Sequence, residues 1–425
     1  MTRRRAVGNY IAAVVRLTRS TRRASMLTFA VILWLVAVAS PAAQGQTFKV
    51  LYSFAGYPTD GAQPLGGLLI DAAGNLYGTT RYGGSHESCP GEGQCGAVFK
   101  LDTSRVETVL YNFTGPDGAN PISNLIMDAN GDLYGTTEFG GKTSICVDTE
   151  SAGCGVVFKL SGTKETVLYR FTGGADGAFP WAGVIMDAHG ALYGTTNEGG
   201  ATGGGVAFTL VGRKERVLHS FCSENNCKDG TYLTSGLIMD ATGNLYGTAA
   251  YGGDVNCDYP SGCGVVFKLT GKKETVLHSF KGSPDGDNPV AALFMDASGD
   301  LYGTTDGGGK ESNGGTVFKI GQDGKERVLH TFRGAHDGST PDTAVIRDAQ
   351  GNLYGTTLFN GERGRGTVFE VTAGGKEKVL HNFCTGDCSD GADPSDLIMD
   401  AQGNLYGTTY GGGINGNGVI FMITP

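Results

Sequence analysis

The chain has 425 residues, 72 of them glycine, with a formal charge of −9 and 40% hydrophobic content. Glycine without a strict three-residue period excludes collagen, and this much apolar content excludes a disordered chain. Helical patterning is nearly absent beyond the N-terminus. Short β-like runs with Gly-rich turns fill the rest and argue for an all-β fold.

Residues 1–25 carry seven arginines and no acid. Met26 to Ala39 is apolar apart from Thr28, and Ser40-Pro41-Ala42-Ala43 supplies small residues. A positive region, a short apolar core and a small-residue exit describe a secretory signal. The apolar run of 14 residues is short of the ~20 that a membrane span needs. We therefore read residues 1–46 as a leader and 47–425 as one repeat domain, with no transmembrane span in the mature chain. An uncleaved anchor is the alternative. Without the seven leader arginines the charge moves from −9 to −16. An acidic domain is a poor partner for phosphate backbones, so nucleic acid is set aside.

The element that organises the remainder is Asp400 to Thr409, Asp-Ala-Gln-Gly-Asn-Leu-Tyr-Gly-Thr-Thr. It occurs seven times, with tyrosines at 77, 134, 193, 246, 302, 354 and 406. Each copy reads as a hairpin. Asp at the first turn position and Gly at the fourth fit a type I turn. No copy supplies both a second and a third carboxylate at the alternating spacing of a calcium loop. The Gly after each Tyr weakens a strand, and close approach of a neighbouring sheet is the expected reason.

One full unit runs from Asn124 to Pro180. Asn124 to Met127 is strand A and Leu133 to Thr137 is strand B. After a Gly-rich loop, Gly155 to Leu160 is strand C and Glu165 to Phe171 is strand D. Asp176-Gly177 then leads into the next unit. Four short antiparallel strands repeated in tandem describe a β-propeller blade. The mature chain opens on a strand D, Phe48 to Phe54, and ends on a strand C, Gly418 to Ile423. Head and tail together make one blade, and closing the ring removes exposed sheet edges. The expected fold is a seven-bladed β-propeller of four-stranded antiparallel blades, with the N-terminal strand completing the last. Strand D carries Tyr in some copies and His in others, which reads as packing rather than ligation.

Ten cysteines form five local pairs: Cys89/Cys95, Cys146/Cys154, Cys222/Cys227, Cys257/Cys263 and Cys384/Cys388. None has zinc-knuckle spacing or a His beside it, so no metal or other cofactor is expected. An even count behind a signal reads as disulfides in an oxidising compartment, with pairing across loops left open.

Function is less legible. The loops after strands B and D should share one face, and the B–C loops vary most, so recognition belongs there. Candidate binding residues are Asp254, Asp258 and Tyr259 in one such loop, with Trp181. Arg347, in a strand A where most copies carry Met, is expected near the central channel, binding an anion or a carboxylate, with a simple exit to the surface as the alternative. His336 is a further singular residue. Most acids recur in every unit, as turn residues do, so no catalytic residue is assigned. The reading is a monomeric, non-catalytic binding or scaffolding module for an extracellular glycan or protein. A carbohydrate-active hydrolase or lyase on the same scaffold, or a purely structural envelope protein, are the alternatives.

The run Gly403 to Thr409, followed by Gly411-Gly412 and later Gly418-Val419-Ile420-Phe421, resembles the GloVer-type tandem repeat of bacterial "choice-of-anchor" secreted proteins. The match covers nearly all of the chain after the leader. Departures are small: Ala249 for the second Thr, Ala191 for Asn and Asn360 for Gly. The resemblance implies an exported envelope or extracellular repeat protein. Such proteins often carry a C-terminal sorting segment. This sequence stops at its last blade strand, which implies release or another mode of retention. The resemblance brings no catalytic residues and no ligand.

Overall fold

The computed structural model describes residues 46–425, apart from 86–94, 142–145, 147–152, 255, 258–260, 311–312 and 363. The expected leader lies outside these, and residues from Gly45 onward form one compact unit. Among the described residues no helix is long and apolar enough to cross a membrane.

Seven four-stranded antiparallel sheets form a seven-bladed β-propeller. Blade 1 comprises Leu69–Ile70, Leu76–Thr80, Ala97–Leu101 and Glu107–Asn112 as strands A to D. Blades 2 to 6 open on Ile126–Met127, Ile185–Met186, Ile238–Met239, Phe294–Met295 and Ile346–Arg347. Blade 7 takes Ala392–Met399, Leu405–Gly411 and Val419–Thr424 from the C-terminus. Its fourth strand is Thr47–Ser53, which pairs antiparallel with Val419–Thr424 from Thr47 opposite Thr424 to Ser53 opposite Val419. The ring therefore closes head to tail, as its missing last strand required.

There is no single core. The buried apolar residues fall into seven clusters, one at each junction between blades. Each contains a Phe from the end of one blade's strand D set against the strand C Phe of the next, edge-on at six junctions and tilted at the Phe221–Phe267 one. Phe54 meets Phe99, Phe113 meets Phe158 and Phe383 meets Phe421, with centroids 5.1 to 5.2 Å apart. A blade alone would leave these rings in water; full burial of a Phe contributes roughly 1.5–3 kcal/mol.

The Gly after each Tyr serves a different purpose from the one expected. A Cβ on Gly78 would lie 2.6 Å from Phe99 Cζ, and one on Gly303 2.6 Å from Phe318 Cζ. Those rings belong to the facing strand C of the same sheet, where Gly78 pairs with Phe99. The glycine makes room for its own blade's aromatic rather than for a neighbouring sheet.

The two threonines that follow are buried and differ in task. The first donates its hydroxyl to a carbonyl at the start of the next blade's strand A. Thr136 reaches Ala182 O at 2.8 Å, Thr248 reaches Ala291 O at 3.0 Å, and Thr408 closes the circle onto Gly66 O at 3.4 Å. The hairpin turn is as read: Asp71 Oδ1 accepts from the backbone N–H of Ala73 and Asn75, and Gly74 has φ +86°. Asp71 Oδ2 also accepts from Tyr77 Oη at 3.1 Å, which explains why Asp and Tyr travel together.

Strand D Tyr and His are more than packing. Tyr52, Tyr111 and Tyr169 donate to the Asp of the following Asp-Gly, and the Nε2 atoms of His219, His278, His330 and His381 lie 3.0 to 3.3 Å from theirs. Tyr and His interchange because both present a ring and one polar atom at the same reach. At six junctions a glutamate from the next blade joins this pair. Ligand atoms of His278, Asp285 and Glu326 come within 4.8 Å of one another. The same arrangement recurs around the ring with Tyr in place of His, so it is an inter-blade contact.

Candidate functional site

The loop from strand D into the next strand A pairs with the loop leaving strand B. Ala119 bridges Phe139, Ala178 bridges Glu198, and Ser339 bridges Phe359, so both loops share one face. In every D–A loop the third residue after the Asp is forced to positive φ: Gln63, Asn120, Phe179, Tyr232, Asn288, Thr340 and Asp393, between +52° and +66°. That bend turns the chain inward, and the residues after it reach the central channel.

At this end the channel opens into a cavity of about 760 Å³ lined by residues of all seven blades. Strand A starts form its inner ring. Most blades present a small residue there, such as Gly67, Gly183 or Ala292, but blade 2 presents Asn124 and blade 7 Asp396. Asn124 Nδ2 donates to Asp396 Oδ2 at 3.1 Å and the backbone N–H of Gly67 donates to Asn124 Oδ1. The backbone N–H of Ala344 donates to Asp396 Oδ1 at 2.9 Å. These bonds link the inner edges of blades 6, 7, 1 and 2. A Cβ on Gly67 would meet Asp396 Cβ at 2.9 Å, so glycine is required there.

Above this ring the lining loses its sevenfold character. Blades 2 to 4 supply aromatics. Trp181 and Tyr232 meet edge to face with centroids 5.9 Å apart, and Tyr232 meets Tyr251 at 5.4 Å. Trp181 also donates a hydrogen bond to the Glu138 carboxylate. Blades 5 to 7 supply four carboxylates, Asp306, Asp342, Asp393 and Asp396, along with Phe359, and Glu138 of blade 2 adds a fifth beside the aromatics. Arg81 is the one basic side chain among the described lining residues, its guanidinium 3.7 Å from Glu138 Oε2.

The acids are short of partners. Asp306 Oδ1, Asp342 Oδ1, Asp393 Oδ1 and Glu138 Oε2 are buried and accept no hydrogen bond. Burial, reinforced by Asp306, Asp396 and Asp393, pushes Asp342 up to about 8. Burial and Asp287 push Asp306 up to about 6. Burial pushes Glu138 up to about 7 despite Arg81 and Trp181. Asp393 is raised by burial against the pull of Arg365, and Asp396 by burial against its bonds from Asn124 and Ala344. Such a set, desolvated and mutually repelling, lowers its free energy on gaining a donor or a positive charge.

Of the sequence candidates, Trp181 belongs to this cavity. Arg347 does not: it stands at the far end of strand A, where Nη1 pairs with Asp296 Oδ2 of the preceding blade at 3.0 Å and the guanidinium covers Tyr302. The start of strand A lines the channel, and its end meets a neighbour's turn. Asp254 Oδ1 accepts from the backbone N–H and Nδ2 of Asn256, closing a loop turn. Asp258 and Tyr259 lie outside the described residues. His336 is exposed on its loop. Disulfides join Cys146 to Cys154, Cys222 to Cys227, Cys257 to Cys263 and Cys384 to Cys388. Cys95 is disulfide-bonded too, while Cys89 lies outside the described residues.

Sequence reading missed Arg81, Glu138, Asp306, Asp342, Asp393 and Asp396. A signal existed. For the first three it is the residue directly after each hairpin strand, Arg81, Glu138, Asn197, Ala250, Asp306, Leu358 and Tyr410, an unrepeated chemistry beside a recurring frame.

Solved structures align with this chain at low identity, two of them with the fold in common. A streptogramin B lyase aligns with TM-score 0.55 and 12% identity over 89% of this chain and 97% of its own. The extracellular domain described as part of a hybrid two-component system from B. thetaiotaomicron aligns with TM-score 0.53 and 10% identity over 88% of this chain and 40% of its own. A gluconolactonase of Xanthomonas campestris aligns at TM-score 0.42 and 13% identity, over 89% of each chain. Among curated proteins none matches. The Gloeobacter/Verrucomicrobia repeat matches residues 37–147, 91–258 and 258–425. With that repeat covering the whole propeller, the chain belongs to the Gloeobacter/Verrucomicrobia repeat family.

Proposed function

We propose that the protein is an exported binding module that takes part of an extracellular glycan or protein into the mouth of its central channel. One observation carries the reading. A sevenfold scaffold has a cavity with an uneven lining: Trp181 and Tyr232, with Glu138 beside them, on one side, and Asp306, Asp342, Asp393 and Asp396, with Phe359, on the other. Repetition would make the sides alike; only a ligand with unlike ends gains from the difference. Disulfides in the surrounding loops and the arginine-rich leader sequence support export. This reading moves the site from the variable B–C loops to the channel, with Trp181 common to both. Glycan-array binding and pull-down with Trp181→Ala test it. Binding that survives this substitution unchanged removes the channel from the account.

A second reading, hydrolase or lyase, is favoured by the pairing of Asp342 at about 8 with Asp306 at about 6, one carboxyl protonated beside one that ionises more readily. Release of new reducing ends or unsaturated ends from a bound polysaccharide, lost in Asp342→Asn, would support it. Binding without either product refutes it.

A further inference from the structure

We propose that the cavity recognises an organic ammonium group carried on a flat, partly apolar body such as an aminated sugar unit. The inference rests on the binding-module reading and adds the charge and shape of the ligand.

The carboxylate side supplies the first argument. Asp306, Asp342 and Asp393 each keep one buried oxygen with no hydrogen-bond donor. Leaving such an acceptor unsatisfied costs about 1–3 kcal/mol. Nothing in the fold demands acids here. The positions they occupy hold Asn197, Val290 and Asn288 in other blades, and the propeller closes equally well there. An ammonium group brings three N–H donors and one positive charge, and so answers both the missing donors and the crowded negative charge. A neutral hydroxyl answers only the first.

Glu138 supplies an independent argument. It lines the same cavity, is 5% exposed, and its Oε2 accepts no hydrogen bond. Arg81 stays 3.7 Å away, and its own Nε is buried without a partner. On this flank the protein keeps a donor and an acceptor in reserve, which suits a ligand with hydroxyls beyond its charged end.

The aromatic side supplies the shape. Trp181 and Tyr232 stand 69° apart and present one ring face and one ring edge. Such a corner takes a flat ring with an apolar face, and aromatic faces also attract cations. A compact metal ion would use the acids and leave this wall idle.

Titration calorimetry of the intact protein with a glucosamine trimer, its N-acetylated form and calcium chloride tests the inference. The free-amine trimer should bind at least ten times more tightly than the acetylated one. Asp306→Asn with Asp342→Asn should weaken it at least tenfold, and Trp181→Ala should weaken it while leaving its preference for the amine. The amides match the acids in shape, and melting temperature checks that the double variant is folded. Equal binding of the two trimers, or unchanged binding in the folded double variant, overturns the inference and leaves a neutral glycan module standing. Heat from calcium chloride alone, with neither trimer bound, assigns the acids to a metal and overturns it too. Absence of any ligand on an array instead removes the binding-module reading itself.

Discussion

The ring of Phe48 lies flat on the imidazole of His381, with centroids 3.7 Å apart and planes 5° from parallel. This contact marks the seam between the first strand of the chain and blade 6. At the six other junctions the equivalent position holds Glu107, Glu165, Glu215, Glu274, Glu326 or Glu377, each with a buried Oε1 that accepts no hydrogen bond. At the seam the carboxylate is replaced by a stacked ring, and burial pulls the His381 pKa down against Asp390. Phe48→Ala should destabilise the fold by about 2 kcal/mol, less than the ~3–5 kcal/mol of a core Phe because this ring is only half-buried. Urea unfolding measures this. A loss no larger than for an exposed residue such as Val106→Ala would show that the seam does not depend on the stack.

The six glutamates set a pH dependence. Burial pushes Glu107, Glu165, Glu215, Glu274 and Glu326 up to about 7 and raises Glu377. The folded state holds these protons more tightly than the unfolded state, so their contribution is full below about 4.5 and is lost as pH rises through about 7. The turn aspartates act oppositely. Burial works against Asp71, Asp128, Asp187 and Asp400, but turn hydrogen bonds hold all four low. Their contribution is lost as pH falls below about 4. Melting temperature should therefore peak near pH 4 to 5. Glu326→Gln, facing His278, Asp285 and Arg327, should raise it at pH 8 and leave it nearly unchanged at about pH 4. Equal effects at both values would place the cost elsewhere.

Thr248→Val keeps shape and removes a buried hydroxyl that donates to Ala291 O and lies 2.7 Å from Ser235 Oγ. One inter-blade bond is lost and an acceptor is orphaned, at about 1–3 kcal/mol. Thr248→Ser should recover most of that loss in the same denaturant titration. If it recovers none, the methyl group rather than the hydroxyl matters.

Gly303→Ala should overpack the blade by roughly 1–3 kcal/mol, since its Cβ would lie 2.6 Å from Phe318 Cζ. Combining it with Phe318→Leu should cost less than the two separate losses added together. Strict additivity in the double-mutant cycle would show that ring and glycine are not in contention.

Blade number, the seam and the turn aspartates were legible because each follows from local rules repeated seven times. The cavity was not, because its acids occupy positions where the repeat allows anything. Asp306 resembles a loop residue until the sheet brings it beside Asp342. Arg347 misled for a related reason. Its strand has only two paired residues, Ile346 and Arg347, and one step along it separates the channel from the neighbouring turn. Periodicity tells that a residue lies on strand A but not which end faces the axis.

The seven left-handed residues from Gln63 to Asp393 carry a last implication. Non-glycine residues in that conformation cost of order 1 kcal/mol or more, and every blade bears the cost whatever side chain it holds. The backbone has thereby been relieved of any opinion about what stands there. Phe179, Tyr232, Thr340 and Asp393 all adopt the same bend, so the bend itself does not select one side chain. Exchanging Tyr232, Thr340 or Asp393 would therefore alter the wall of the channel mouth without asking the chain to take a new path.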